Sequence, residues 1–320
     1  MNGVLLVDKP QGITSHDAVA RVRRALGTKK VGHAGTLDPM ATGLLILGAG
    51  PATRLLTYLV GLDKEYTATI RLGQSTTTDD AEGEILSENA VGDVTDESIR
   101  SGIAALTGEI LQRPSSVSAI KVDGKRAYDL VRSGEDVELA ARKVTVSAFE
   151  VVSRRPAKRS SSTSDAGEDF VDIDVRVECS SGTYIRALAR DLGQALGTGG
   201  HLTALRRTRI GPFSIAEAVP VPEWVPRGGL DTPPAAALDP RPPALDLRTP
   251  ADVASRLFPV IELDAQQAAD LANGKRVSVD HPDTDTAAAM APDGRLVGLV
   301  AVTSGATRVL SNFPVETQES

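Results

Sequence analysis

The sequence predicts an α+β protein: a mixed, largely antiparallel sheet flanked by helices, followed by a small, mostly β C-terminal domain. Three observations carry this. Strand-like and helix-like segments are intermixed without the regular βαβα beat of a parallel α/β fold. The clearest strand places Val171, Ile173, Val175 and Val177 on one face, with Asp172, Asp174, Arg176 and Glu178 on the other. Beyond a proline-rich stretch at 226–250, residues 257–320 carry their own apolar pattern and many turn signals.

Taken in order, Ser15 reads as the N-cap of a helix with Val19, Val22 and Leu26 at helical spacing and Gly27 as its stop. Leu44-Leu45-Ile46-Leu47 between glycines reads as a short buried strand. Tyr66, Ala68, Ile70 and Leu72 alternate with Thr67, Thr69 and Arg71, the pattern of a half-buried strand. Ile99, Ile103 and Leu106 suggest an amphipathic helix, and Ile120-Lys121-Val122-Asp123-Gly124 a strand entering a tight turn. A helix over 184–196 has Ile185, Leu188, Leu192 and Leu196 on one stripe. The expected domains are 1–225, with a polar, Ser-rich loop insertion at 156–169, a linker at 226–250, and a module over 257–320.

The chain has 320 residues, of which 41% are hydrophobic but only 3% aromatic, so its core is aliphatic. The single cysteine, Cys179, allows no intramolecular disulfide, which fits a reducing, cytoplasmic setting. The apolar run Val4–Val7 ends at Asp8, too short for a signal-peptide core, and no stretch is long enough to span a membrane. The net charge of −7 hides an uneven distribution. Residues 1–60 hold seven basic side chains (Lys9, Arg21, Arg23, Arg24, Lys29, Lys30 and Arg54) against Asp8, Asp17 and Asp38. Arg206, Arg207 and Arg209 form a second basic knot, whereas acids gather around 79–98 and 163–174. Phosphate binding responds to such local patches rather than to the whole-chain sum.

Two features point to chemistry. The run Gly32-His33-Ala34-Gly35-Thr36-Leu37-Asp38-Pro39-Met40-Ala41-Thr42-Gly43 presents one carboxylate from a glycine-framed turn. Pro39 biases Asp38 toward an extended backbone; an ordinary turn with Asp38 as a turn or cap residue has the same composition. Arg186 falls in the first turn of the helix after Ser180-Ser181-Gly182-Thr183-Tyr184-Ile185, where the helix dipole disfavours a cation. An anionic partner, Asp38 or an RNA phosphate, removes that penalty; a guanidinium pointing into solvent is the plain alternative. No P-loop, complete dinucleotide fingerprint, Gly-x-Ser-x-Gly elbow or metal-ligand spacing is present, so neither a cofactor nor a metal is expected.

The aspartate loop resembles the catalytic motif of the bacterial tRNA pseudouridine synthase B family. Four further blocks follow that family's order: Asp8-Lys9-Pro10-Gln11-Gly12, Lys64-Glu65-Tyr66 with Arg71-Leu72-Gly73, Cys179 to Arg186, and Leu205-Arg206-Arg207-Thr208. Together they cover about residues 1–215. Leu263-Asp264 and Leu271-Ala272-Asn273-Gly274 are more weakly similar to the family's PUA-like RNA-binding module.

The resemblance implies a pseudouridine-synthase catalytic domain that isomerises uridine at position 55 of the tRNA T loop. The target base must be flipped out of the stack. It implies Asp38 as the essential carboxylate, attacking C1′ of the sugar or C6 of uracil, or acting as a base at the ribose 2′ position. Tyr66 is implied as the stacking platform and Arg186 as the cation that keeps Asp38 ionised. His33 would lie beside the flipped nucleotide, Lys9 would brace the loop, and Leu205 would pack against uracil. Tyr184, Arg206 and Arg207 complete the implied substrate-binding set, the arginines with Lys29 and Lys30 as phosphate contacts. The expected partner is the tRNA T stem-loop, recognised by shape, by a monomer without a guide RNA. The alternative is a tRNA-binding or tRNA-folding module whose isomerase activity is secondary or lost.

Overall fold

The computed structural model describes residues 1–115, 121–122, 125–126, 140–158, 170–223 and 245–314. In chain order the elements are β1 (Gly3–Lys9), α1 (Ser15–Leu26), β2 (Val31–His33), β3 (Thr42–Ala49), α2 (Leu56–Val60), β4 (Lys64–Leu72), β5 (Gln74–Thr76), β6 (Ile85–Glu88), α3 (Asp96–Ala105) and β7 (Gly108–Gln112). They continue with β8 (Lys121–Val122), β9 (Lys125–Arg126), β10 (Arg142–Ala157), β11 (Phe170–Cys179), α4 (Ile185–Ala195), β12 (Gly200–Ile210), β13 (Phe213–Ser214) and β14 (Val219–Pro220). The last are α5 (Pro250–Leu257), β15 (Val260–Glu262), α6 (Ala265–Ala272), β16 (Thr284–Met290), β17 (Leu296–Thr303) and β18 (Ala306–Asn312). Among the described residues, no helix is long and apolar enough to cross a membrane.

The chain divides into two units: Met1–Asp38 with Leu44–Val60 and Pro212–Ser320, and Pro39–Gly43 with Gly61–Gly211. This division passes through the expected domain 1–225 and groups the C-terminal segment with the N-terminal elements.

In the first unit β1 pairs in parallel with β14, and β2 antiparallel with β3. The apolar stripe of α1 (Val19, Val22 and Leu26) packs into a core with Leu5, Val7, Leu45 and Leu47. Leu245 and Leu247 pack against that core, and Val4 and Arg248 exchange backbone hydrogen bonds. The end of the expected linker is therefore anchored structure, and Pro250 already opens α5; residues 224–244 lie outside the described residues. The C-terminal segment forms its own sheet, β15-β16-β17-β18, whose core joins Ile261, Leu263, Leu271, Val297 and Val300. This is the small, mostly β module that the sequence suggests.

The second unit carries the strand order β12-β4-β11-β10-β7, antiparallel throughout. Between β12 and β11, β4 buries Tyr66, Ala68, Ile70 and Leu72 as the alternation predicts. Helix α4 packs on β12 through a glycine contact: a Cβ on Gly193 would stand 2.2 Å from the Gly199 carbonyl carbon. Only glycine lets helix and strand backbones approach so closely.

Some boundaries differ from expectation. Thr14, not Ser15, caps α1, in a reciprocal capping box with Asp17. Helix α4 begins at Ile185, with Tyr184 at its N-cap, and Leu106 closes α3 rather than extending it. Pro156 and Ala157 end β10 instead of opening a loop, and residues 159–169 lie outside the described residues. The expected strand at 120–124 is a two-residue pairing, Lys121–Val122 with Lys125–Arg126; Ile120, Asp123 and Gly124 lie outside the described residues.

Candidate active site

In the first unit the aspartate loop is held from α1. Ser15 is buried, and its hydroxyl both accepts the Leu37 N–H at 2.8 Å and donates to the Leu37 carbonyl at 3.1 Å. One side chain thus fixes both polar backbone groups of the residue before Asp38. Because Thr14 takes the capping role, the Ser15 hydroxyl is available for the loop. Ala34 N–H reaches the Ile46 carbonyl at 2.9 Å, and Gly35 takes φ +91°, a conformation that favours glycine. Lys9 is fully buried, and its ammonium donates to the carbonyls of Pro10 (3.0 Å) and Ile13 (2.7 Å). It braces the turn between β1 and α1, from which Ser15 projects. His33 stands edge to face with His16, with ring centroids 5.6 Å apart.

In the second unit Arg186 has the carboxylate that its place in the first turn calls for. Its guanidinium lies 3.2 Å from Asp80 and donates to the Thr78 carbonyl at 2.9 Å. Both side chains are buried, at 5% and 3% exposure. The Asp80 carboxylate also accepts the Thr78 hydroxyl at 2.5 Å and the Glu82 N–H at 3.1 Å, so the charge is well bonded where it sits. In the sequence Asp80 is one acid in an acidic stretch. The signal available was two adjacent carboxylates after a threonine run, Thr76-Thr77-Thr78-Asp79-Asp80.

Tyr184 is positioned by a residue the sequence did not single out. The Gln112 side chain accepts the Tyr184 N–H at 2.8 Å and donates to its carbonyl at 3.0 Å. Helix α4 has no side-chain cap of its own, so Gln112, on β7, supplies the polar contact at the helix start.

Tyr66 lies on β4 between Val177 of β11 and Arg207 of β12. On the same face, burial with help from Arg207 lowers the Lys64 ammonium to about 8, and burial pushes the Cys179 thiol up to about 11. Leu205 is buried in register with Ala68, and Arg206 donates to the Thr42 hydroxyl at 3.4 Å.

Arg207 is only 1% exposed, whereas Arg206 beside it is half-buried. Thr42 and Gly43 pair in parallel with Arg206 and Arg207, and a Cβ on Gly43 would meet the Arg207 carbonyl oxygen at 2.2 Å. The last glycine of the aspartate motif, at φ +102°, is thus required by this backbone approach.

These two sets of residues sit on a fold with known relatives. Residues 23–185 match the N-terminal domain of TruB family pseudouridylate synthases. Residues 186–223 match the tRNA pseudouridylate synthase B C-terminal domain, and 258–314 the C-terminal part of tRNA pseudouridine synthase II. The chain belongs to the TruB family of pseudouridylate synthases. It is 54% identical to tRNA pseudouridine synthase B of Leifsonia xyli subsp. xyli (strain CTCB07), over 98% of this chain and 97% of that one. It is 50% identical to tRNA pseudouridine synthase B of Thermobifida fusca (strain YX), over 98% of each. Two solved structures share the fold: an H/ACA RNP bound to a substrate RNA containing 2′-deoxyuridine (TM-score 0.63, 23% identity, 98% of this chain and 85% of that one) and a Cbf5-Nop10-Gar1 complex (0.62, 24%, 98% and 84%).

Proposed function

We propose that this chain isomerises uridine to pseudouridine in tRNA, at position 55 of the T loop, as a monomer without a guide RNA. The observation that carries the reading is full-length similarity to tRNA pseudouridine synthases B, 54% over 98% of the chain, with the aspartate motif intact. The reaction breaks the C1′–N1 bond, turns the uracil, and joins C1′ to C5; the C5 proton leaves and N1 gains one. Substrate and product are isomers, so no oxidant or reductant enters the balance.

In this reading Asp38 is the essential carboxylate, attacking C1′ or C6 or taking a proton at the 2′ position. The Ser15 clasp on Leu37 supports it, because a reacting group needs a fixed backbone under it. Tyr66 is the platform for the flipped base, with Leu205 and Tyr184 as further contacts. His33 fills the stack that the base leaves. Arg186, fixed by Asp80, supplies positive charge, and Arg206 with Lys29 and Lys30 contacts phosphate. No observation favours the alternative of a binding or folding module without turnover.

The test is to incubate purified protein with unmodified total tRNA and map pseudouridine. New pseudouridine at position 55 is expected; modification elsewhere, or none, contradicts the reading.

A further inference from the structure

Asp79, the neighbour of Asp80, is built into a second ion pair on the same helix. Arg186 and Arg190 lie four residues apart on α4, so they project from one face, one turn apart. Arg186 meets Asp80, and Arg190 meets Asp79 at 3.1 Å. In an extended segment adjacent side chains point to opposite sides. Asp79 escapes this by taking φ +61°, a left-handed conformation uncommon for a residue other than glycine. That turn brings two consecutive carboxylates to two arginines of one helix. The backbone is pinned as well: the Leu202 N–H of β12 donates to the Asp79 carbonyl at 3.0 Å.

The outer pair reaches further than the inner one. The Ser115 hydroxyl donates to the Asp79 carboxylate at 2.6 Å, and Arg190 donates to the Arg113 carbonyl at 2.7 Å. Arg190 is itself flanked by Asp191 at 2.8 Å. Burial raises the Asp79 carboxyl above the usual carboxylate range, against the Ser115 hydrogen bond and the charges of Arg190 and Arg186; Asp191 adds to the rise.

We propose that Asp79 and Arg190 form a positioning pair for the isomerisation: they lock the 76–80 turn against α4 and so set the Asp80–Arg186 pair in its working geometry. The proposal rests on the reading of Arg186 as a catalytic residue. Neither Asp79 nor Arg190 need touch the RNA, so their loss acts on the chemical step and leaves binding in place.

The experiment measures single-turnover pseudouridine formation and RNA affinity, using a T-arm RNA, for the full chain and for Asp79→Asn, Arg190→Gln, Arg190→Lys and the Asp79→Asn/Arg190→Gln double variant. Each neutral single variant is expected to lose about tenfold in rate while affinity changes by less than about threefold. The double variant is expected to be no slower than the worse single, because both remove one interaction. Arg190→Lys is expected to recover part of the rate by keeping the charge. The wild-type rate falls in acid as Asp79 gains its proton, and this component is absent from Asp79→Asn. If Asp79→Asn does not fold, Ser115→Ala, which removes only one hydrogen bond to Asp79, carries the test with an expected loss of about threefold.

Wild-type rates in folded Asp79 and Arg190 variants overturn the proposal, as does additive loss in the double variant. Two controls separate this failure from failure of the wider reading. Wild-type protein without turnover contradicts the proposed function itself, and Arg186→Lys with full turnover contradicts the role of Arg186.

Discussion

The Ser15 hydroxyl grips the Leu37 backbone at both its polar groups, accepting the N–H at 2.8 Å and donating to the carbonyl at 3.1 Å. A buried side chain at the start of α1 therefore sets the residue before Asp38. Ser15→Ala leaves two buried backbone groups without this partner, at a cost of about 1–3 kcal/mol. Lower stability in chemical denaturation is expected, with single-turnover pseudouridine formation reduced more than RNA affinity. A variant with wild-type stability and rate contradicts the role.

Asp80 and Arg186 form a buried pair whose members depend on each other. Removing one partner of such a pair costs about 3–5 kcal/mol, because the other charge stays buried. Asp80→Ala is expected to lose that much stability together with turnover, and Asp80→Asn to lose turnover with a smaller stability change. Denaturation curves and single-turnover rates check both, and an Asp80→Ala protein as stable as wild type contradicts the account.

Gly43 combines φ +102° with an Arg207 carbonyl oxygen 2.2 Å from the place of its missing Cβ. Gly43→Ala is expected to cost more than about 1–2 kcal/mol, the left-handed penalty alone, since the backbone of β12 must also move. A melting temperature equal to wild type contradicts this.

Glu217 carries a pH-dependent contact in the first unit. Its carboxylate accepts from Arg256 at 2.7 Å and Arg248 at 2.8 Å, and hydrogen bonding from Arg256 holds it down at about 2. A carboxyl depressed on folding stabilises fully above its ordinary value of 4.5 and loses that contribution as pH falls toward 2. Glu217→Gln is expected to be less stable than wild type by roughly 1–2 kcal/mol at pH 7. The gap narrows between pH 4.5 and pH 3, as denaturant titrations at each pH will show. A gap that is constant across this range contradicts the assignment.

Much of this was legible in the sequence because it depends on periodicity. The alternation in 66–72 and 171–177 gave strands β4 and β11, and the stripe of Val19, Val22 and Leu26 gave α1. The aspartate motif was visible as glycines around a single carboxylate. The partners were hidden because they are distant in sequence: Leu37 lies 22 residues from Ser15, and Gln112 lies 72 from Tyr184. Capping misled because Thr14 and Ser15 are both good N-caps, and the choice between them followed from the demand of the loop for the Ser15 hydroxyl. The glycines of the motif read as room for a ligand, yet Gly43 serves a strand contact with Arg207.

The central claim is that Asp38 carries the isomerisation. The most direct measurement is single-turnover conversion of a T-arm RNA by Asp38→Asn beside wild type, with RNA affinity measured on the same preparations. The account predicts no detectable pseudouridine from the variant and affinity within about threefold of wild type, since the change keeps size and removes only the carboxylate. Appreciable pseudouridine formed by folded Asp38→Asn would contradict it.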